Sequence, residues 1–92
     1  MVFTGRVYNG KQVYVGRDLW LRGRYRAFVC AGHRCVEAEV TAFSKSRRGY
    51  GSRYGVLYVP RWAIRELGVQ DGALVVVRIL VPAEVRGEAA AR

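Results

Sequence analysis

Acidic residues are the scarce charged class in this chain: 7 Asp+Glu stand against 16 Lys+Arg, a formal net charge of +9. Ion pairing within the chain cannot absorb that surplus, and the resulting surface repels cations and attracts polyanions, nucleic acid above all. There is one histidine, and the acids are scattered with no paired-carboxylate or metal-ligand spacing. Neither G-x-x-x-x-G-K-[ST] nor G-x-G-x-x-G occurs, Gly49-Tyr50-Gly51 being only a G-x-G within a basic stretch. No enzyme activity, cofactor or metal site is therefore expected. No apolar run reaches the roughly 18 to 20 residues needed to span a bilayer, and Met1 leads straight into strand-like sequence without a signal-peptide pattern. A soluble, cytoplasmic protein with no membrane partner is the expectation.

What is present argues for a folded domain. Hydrophobic residues make up 51% and aromatics 12% of the chain, apolar content that a disordered basic tail lacks. Ninety-two residues leave room for one core. Of the cations, 14 are arginine. That bias alone would also suit genome composition or a heat-adapted, archaeal or thermophile-like source, whereas the net charge still calls for a polyanionic partner.

The first half reads as short strands joined by turns. Val2 to Tyr8 is followed by Asn9-Gly10, a strong two-residue hairpin signal, and Gln12 to Val15 resumes the extended pattern. Gly16 to Gly23 reads as a turn or a single helical turn that Asp18 could cap. Tyr25 to Ala31 and Cys35 to Phe43 are strands again. In the second, Val36, Ala38, Val40 and Ala42 alternate with Glu37, Glu39 and Thr41, so one face is wet.

From Ser44 to Gly55 the sequence becomes SKSRRGYGSRYG, which reads as a glycine-studded basic loop. No acid occurs from Ser44 to Arg65, so this segment alone carries +6. The loop arginines suit phosphates, and Tyr50 and Tyr54 suit sugar or base contact. Val56 to Val59 then reads as a strand. Pro60 stands at the first helical position, RWAIREL forms about two turns and Gly68 closes them. Ala63, Ile64 and Leu67 share the packing side of that helix, with Arg61 and Arg65 facing outward. Asp71-Gly72 turns into a strand over Ala73 to Val81, and Ala83 to Arg92 is a tail with little to bury.

This order of strand, proline, short helix ending in Leu-Gly, glycine turn and strand has a known likeness. Gly55 to Val77, through Gly55, Pro60, Arg65, Leu67, Gly68, Gly72 and the following valines, resembles the AbrB/MazE/SpoVT family. The resemblance implies a swapped-hairpin barrel made of two strand-strand-helix-strand units, in a DNA-binding transcription regulator or an antitoxin. Carried over, the family's DNA contacts fall on Arg47, Arg48 and Arg53 of the loop and Arg65 of the helix. Val56 departs from the pattern, standing where the family often has a basic residue. The first half reads as a degenerate second copy: Val13-Tyr14-Val15-Gly16-Arg17 aligns with Leu57-Tyr58-Val59-Pro60-Arg61 at an offset of 44, with three of five positions identical. Half-repeats of about 1–43 and 44–82 would let one chain build the barrel as a pseudo-dimer, the alternative being a homodimer.

Cys30 and Cys35 bracket Ala31-Gly32-His33-Arg34. Paired strands would set the two thiols opposite each other, close enough for a disulfide, while a reducing cytosol would leave them free. A metal would lack a fourth ligand. Trp20 and Trp62 read as core or barrel-rim residues. The function expected is duplex DNA binding in transcription regulation, through Lys45, Arg47, Arg48, Tyr50, Arg53, Tyr54, Arg61 and Arg65. The alternatives are an antitoxin, for which the short tail is poorly suited, and an RNA-binding or ribosome-associated module.

Overall fold

A computed structural model of the chain describes residues 1–16, 19, 21–46 and 53–80. Six antiparallel strands and one short helix follow in the order β1 (Val2–Tyr8), β2 (Gln12–Tyr14), β3 (Gly23–Ala31), β4 (Arg34–Ser46), β5 (Arg53–Tyr58), α1 (Arg61–Leu67) and β6 (Leu74–Ile79). The strands close into a barrel in the order β1-β2-β5-β4-β3-β6. The chain thus forms the mainly β small barrel with a helix over 61–67 that its sequence predicts.

Alternation fills the interior. Phe3 and Val7 from β1, Val13 from β2, Ala27 and Val29 from β3, Ala38, Val40 and Ala42 from β4, Leu57 from β5 and Val75, Val77 and Ile79 from β6 are buried in one cluster. Neighbours on a strand lie two residues apart, or four in the case of Phe3 and Val7 with the buried Gly5 between them, the spacing at which side chains return to the same face. Ala63, Ile64 and Leu67 of α1 join this cluster at helical spacing. Pro60 sits at the N-cap, one position earlier than expected, and Gly68 ends the helix with φ 71°. Its N–H donates to the Ile64 and Arg65 carbonyls at 3.1 and 3.0 Å, the left-handed closure that glycine adopts without a Cβ penalty.

The pairing pattern has an exchange symmetry. Swapping β1 with β4, β2 with β5 and β3 with β6 leaves all six strand pairings in place. When Val13 is laid on Leu57, the observed registers carry Phe3, Gly5 and Val7 onto Ala38, Val40 and Ala42, and Ala27 and Val29 onto Val77 and Ile79. Every one of these residues is buried. β3 pairs with β4 and β6 rather than with β1 or β2, and β6 pairs with β1 and β3 rather than with β4 or β5. Each half therefore gives its third strand to the hairpin of the other.

Several local expectations change. The Asn9-Gly10 hairpin closes with Tyr8 opposite Gln12, so its loop has three residues rather than two, with φ 58° at Asn9 and 67° at Gly10. The basic loop is shorter than its composition suggests: Ser44, Lys45 and Ser46 pair with Gly55, Tyr54 and Arg53, because an antiparallel ladder continues through polar residues wherever the partner strand supplies its backbone groups. The boundary expected between residues 43 and 44 falls inside β4, and the exchange groups β4 with β5 and β6. β6 ends at Ile79 within the described residues. Leu19 and Leu21, expected in a turn, are buried core residues. Of the two places expected for Trp62, core or barrel rim, the core is excluded: it is 52% exposed, since the phase that buries Ala63, Ile64 and Leu67 turns it outward. Trp20, Asp18 and the tail from Ala83 lie outside the described residues.

The cysteines form the disulfide rather than remaining free thiols or ligands: Cys30 and Cys35 are cross-strand partners with Sγ atoms 2.01 Å apart. Among the described residues, no helix is long and apolar enough to cross a membrane. No group of three or more His, Cys, Asp or Glu able to hold a metal ion occurs there either.

Candidate nucleic-acid interface

The outer face of β1-β2-β5-β4 gathers aromatic side chains that are distant in sequence. Register puts Tyr8 beside Gln12, Gln12 beside Tyr58 and Tyr58 beside Thr41. The next row outward runs Arg6, Tyr14, Val56, Phe43, followed by Tyr54 beside Lys45. The rings of Tyr14 and Tyr54 lie 4.8 Å apart and those of Phe43 and Tyr58 4.9 Å apart, both tilted. Val56 points to this outer face, yet it is only 1% exposed and stands outside the barrel cluster. Its cross-strand partners on that face are Tyr14 and Phe43, so it is flanked by rings on both sides.

Cations border the rings. Lys11 Nζ lies 5.8 Å from the centroid of Tyr58 and Lys45 Nζ 5.7 Å from that of Phe43, both within cation–π range. A groove of about 560 Å³ is lined by Arg6, Tyr8, Gln12, Tyr14, Lys45 and Tyr54, among others. A second, of about 310 Å³, is lined by Lys11, Tyr58 and Arg61 together with Glu39, Thr41 and Pro60. The two meet at the Gln12–Tyr58 pair, where the Gln12 amide donates to the tyrosine hydroxyl at 3.2 Å.

Acids at this face are engaged elsewhere. Asp71, on the rim of the larger groove, accepts the backbone N–H groups of Asn9 and Gly10 at 3.1 and 2.9 Å. Glu39 lies 3.9 Å from Arg24. Glu37 accepts from Arg26 Nε and Nη2 at 3.1 and 2.9 Å. The acids of β4 thus each face an arginine of β3, and Glu39 shares the smaller groove with Lys11.

Beyond Ala42, β4 pairs only with β5 among the described residues, and the ladder continues to Ser46 opposite Arg53. The end of this hairpin is therefore two-stranded, with Lys45 paired to Tyr54 and Ser46 to Arg53, and the Tyr54 ring rests 4.8 Å from that of Tyr14 on β2. Of the residues expected to bind nucleic acid, Lys45 and Tyr54 come together here, and Arg61 lines the adjoining groove. Arg65 is exposed on α1 one turn further on and lines neither groove. Arg53 is placed by its backbone on β5. Arg47, Arg48 and Tyr50 lie outside the described residues. Arg6, Tyr8, Lys11, Gln12, Tyr14, Phe43 and Tyr58 went unrecognised in the sequence. Alternation would have put Arg6 and Tyr8 on one outer face, but only the strand order sets them beside β5 and β4. With this geometry in view, no protein family, curated protein or solved structure matches the chain.

Proposed function

We propose that the protein binds duplex DNA as an AbrB-like transcription regulator, presenting the β4–β5 ribbon to a groove and the arginines of α1 to the backbone. The observation that carries this reading is the end of the β4–β5 hairpin, a two-stranded antiparallel ladder with Lys45 on it, in the charge-surplus segment, an element of the kind that the major groove admits. Lys45, Arg53, Arg61 and Arg65 supply phosphate contacts, joined by Arg47 and Arg48 from the connecting residues. Phosphate contacts position the protein, and a guanidinium on a guanine edge adds selectivity worth about 1 to 3 kcal/mol. The exchange of third strands between the halves supports the family part of the reading, because it gives one chain the interleaved hairpins that the family is known for.

Fluorescence anisotropy with random duplex, the chain's own promoter region and structured RNA, over a salt series, tests it. Duplex should bind tightest, and Lys45→Ala, Arg61→Ala and Arg65→Ala should each lower the salt slope by about one contact at unchanged melting temperature. Equal or tighter binding of structured RNA would overturn the DNA reading.

A further inference from the structure

We propose that the aromatic face of β1-β2-β5-β4, which shares Lys45 and Arg61 with the duplex contacts proposed above, also takes unpaired nucleobases of a single-stranded nucleic acid. This goes beyond the duplex reading, since bases in a duplex are stacked on each other and offer no face to a tyrosine.

The first argument is the set of rings. Tyr8 is 58% exposed, and Tyr14 and Tyr58 are each 38% exposed, so part of each side chain is open to a ligand even though Tyr14 packs on Tyr54 and Tyr58 on Phe43. An exposed tyrosine ring offers a flat face for stacking, which every base can meet with either of its own faces. The barrel does not need these rings for its core, whose residues all point the other way.

Charge is the second argument. A single strand needs a phosphate partner beside each stacking ring. Arg6 and Lys45 line the larger groove with Tyr8, Tyr14 and Tyr54, and Lys11 and Arg61 line the smaller one with Tyr58. Two acids also line these grooves, Asp71 bonded to two backbone N–H groups and Glu39 beside Arg24, and the four cations outnumber them. Arg6 is held in place by donating to the Gly72 carbonyl at 2.9 Å, which leaves the rest of its fork of donors for an anion. Shape is the third argument: the larger groove, at about 560 Å³, falls in the range of small-ligand sites and accommodates a nucleotide. The smaller groove continues it across the Gln12–Tyr58 pair, giving a track instead of an isolated pocket.

The probes are fluorescein-labelled oligo(dT), oligo(U) and an abasic deoxyribose strand of the same length, which has the backbone charge but no bases. Oligo(dT) or oligo(U) should bind about tenfold or more tighter than the abasic strand, as expected where even one base stacks on a ring. Whichever of the two binds tighter identifies DNA or RNA as the source of the strand, and either ranking supports the site. Tyr8→Ala should lower affinity for the base-bearing strand by about tenfold, Tyr8→Phe should restore it, and neither should change binding of the abasic strand or of duplex. Because Tyr8 is so exposed, these variants are expected to fold, and Tyr58→Leu provides an independent test from the smaller groove. Equal binding of base-bearing and abasic strands overturns the proposal, as does a Tyr8→Ala loss that is the same for all probes. Failure of duplex binding with tight, Tyr8-dependent oligo(dT) binding would remove the duplex reading and leave this site standing.

Discussion

Gly5 of β1 lies so close to Tyr14 of β2 that a Cβ added to it would stand 2.5 Å from the Tyr14 carbonyl oxygen and 2.7 Å from Val13 Cγ1. The first of these atoms is backbone and belongs to a short strand held between β1 and β5, so it cannot move aside without disturbing both ladders. Gly5→Ala should cost about 1 to 3 kcal/mol by overpacking, a fall of about 4 to 8 °C in Tm per kcal/mol for a domain of this size. It should also displace Tyr14, and with it the aromatic face. An unchanged Tm in calorimetry would mean that β1 and β2 are further apart than the structure has them.

Two neighbours on α1 should respond in opposite ways. Ile64 is buried in the common core and Trp62 is half exposed. Ile64→Ala should cost about 2 to 5 kcal/mol through lost burial and the cavity left behind, while Trp62→Ala should stay within about 1 kcal/mol as a surface change. Chemical denaturation of the two variants separates them, and equal losses would contradict the phase of the helix.

That helix also marks where the sequence was legible. Ala63, Ile64 and Leu67 repeat at three and four residues between a proline and a glycine, a local pattern that needs no knowledge of the rest of the chain. The alternation of β4 is local in the same sense. The extent of the β4–β5 ribbon was hidden because glycine, serine and arginine give no hydrophobic rhythm, and its pairing is settled by backbone groups that composition does not show. The aromatic face was hidden for a different reason: Tyr8, Tyr14, Tyr58 and Phe43 belong to four strands, and β2 meets β5 only through the barrel order. Trp62 read as a core or barrel-rim residue, and its half exposure leaves only the rim.

Charge on the β3–β4 ribbon should matter little to stability. Arg26 and Glu37 are both exposed, and pairs of this kind contribute about 0 to 1 kcal/mol in solvent. Glu37→Gln should therefore leave the denaturation midpoint nearly unchanged while freeing Arg26 from its partner. If the midpoint falls as far as it does for Ile64→Ala, the pair is more than a surface contact.

Cys30 and Cys35 tie the two exchanging halves together at their junction, the turn between β3 and β4. A protease site placed at Gly32-His33 would cut the chain between its halves and leave the disulfide as their covalent link. Neither half can close a sheet alone, because β3 completes the hairpin of the second half and β6 that of the first. The nicked, oxidised protein should keep the far-ultraviolet circular dichroism of the intact chain and run as one mass without reductant. On reduction it should separate into two masses, with stability now dependent on concentration, and each purified fragment should be unfolded until mixed with the other. In the uncut chain, reduction opens a loop of only a few residues, for which the chain-entropy model gives about 2 kcal/mol, so it should lower Tm without unfolding the domain. A first-half fragment that folded by itself as a monomer would contradict the exchange of third strands.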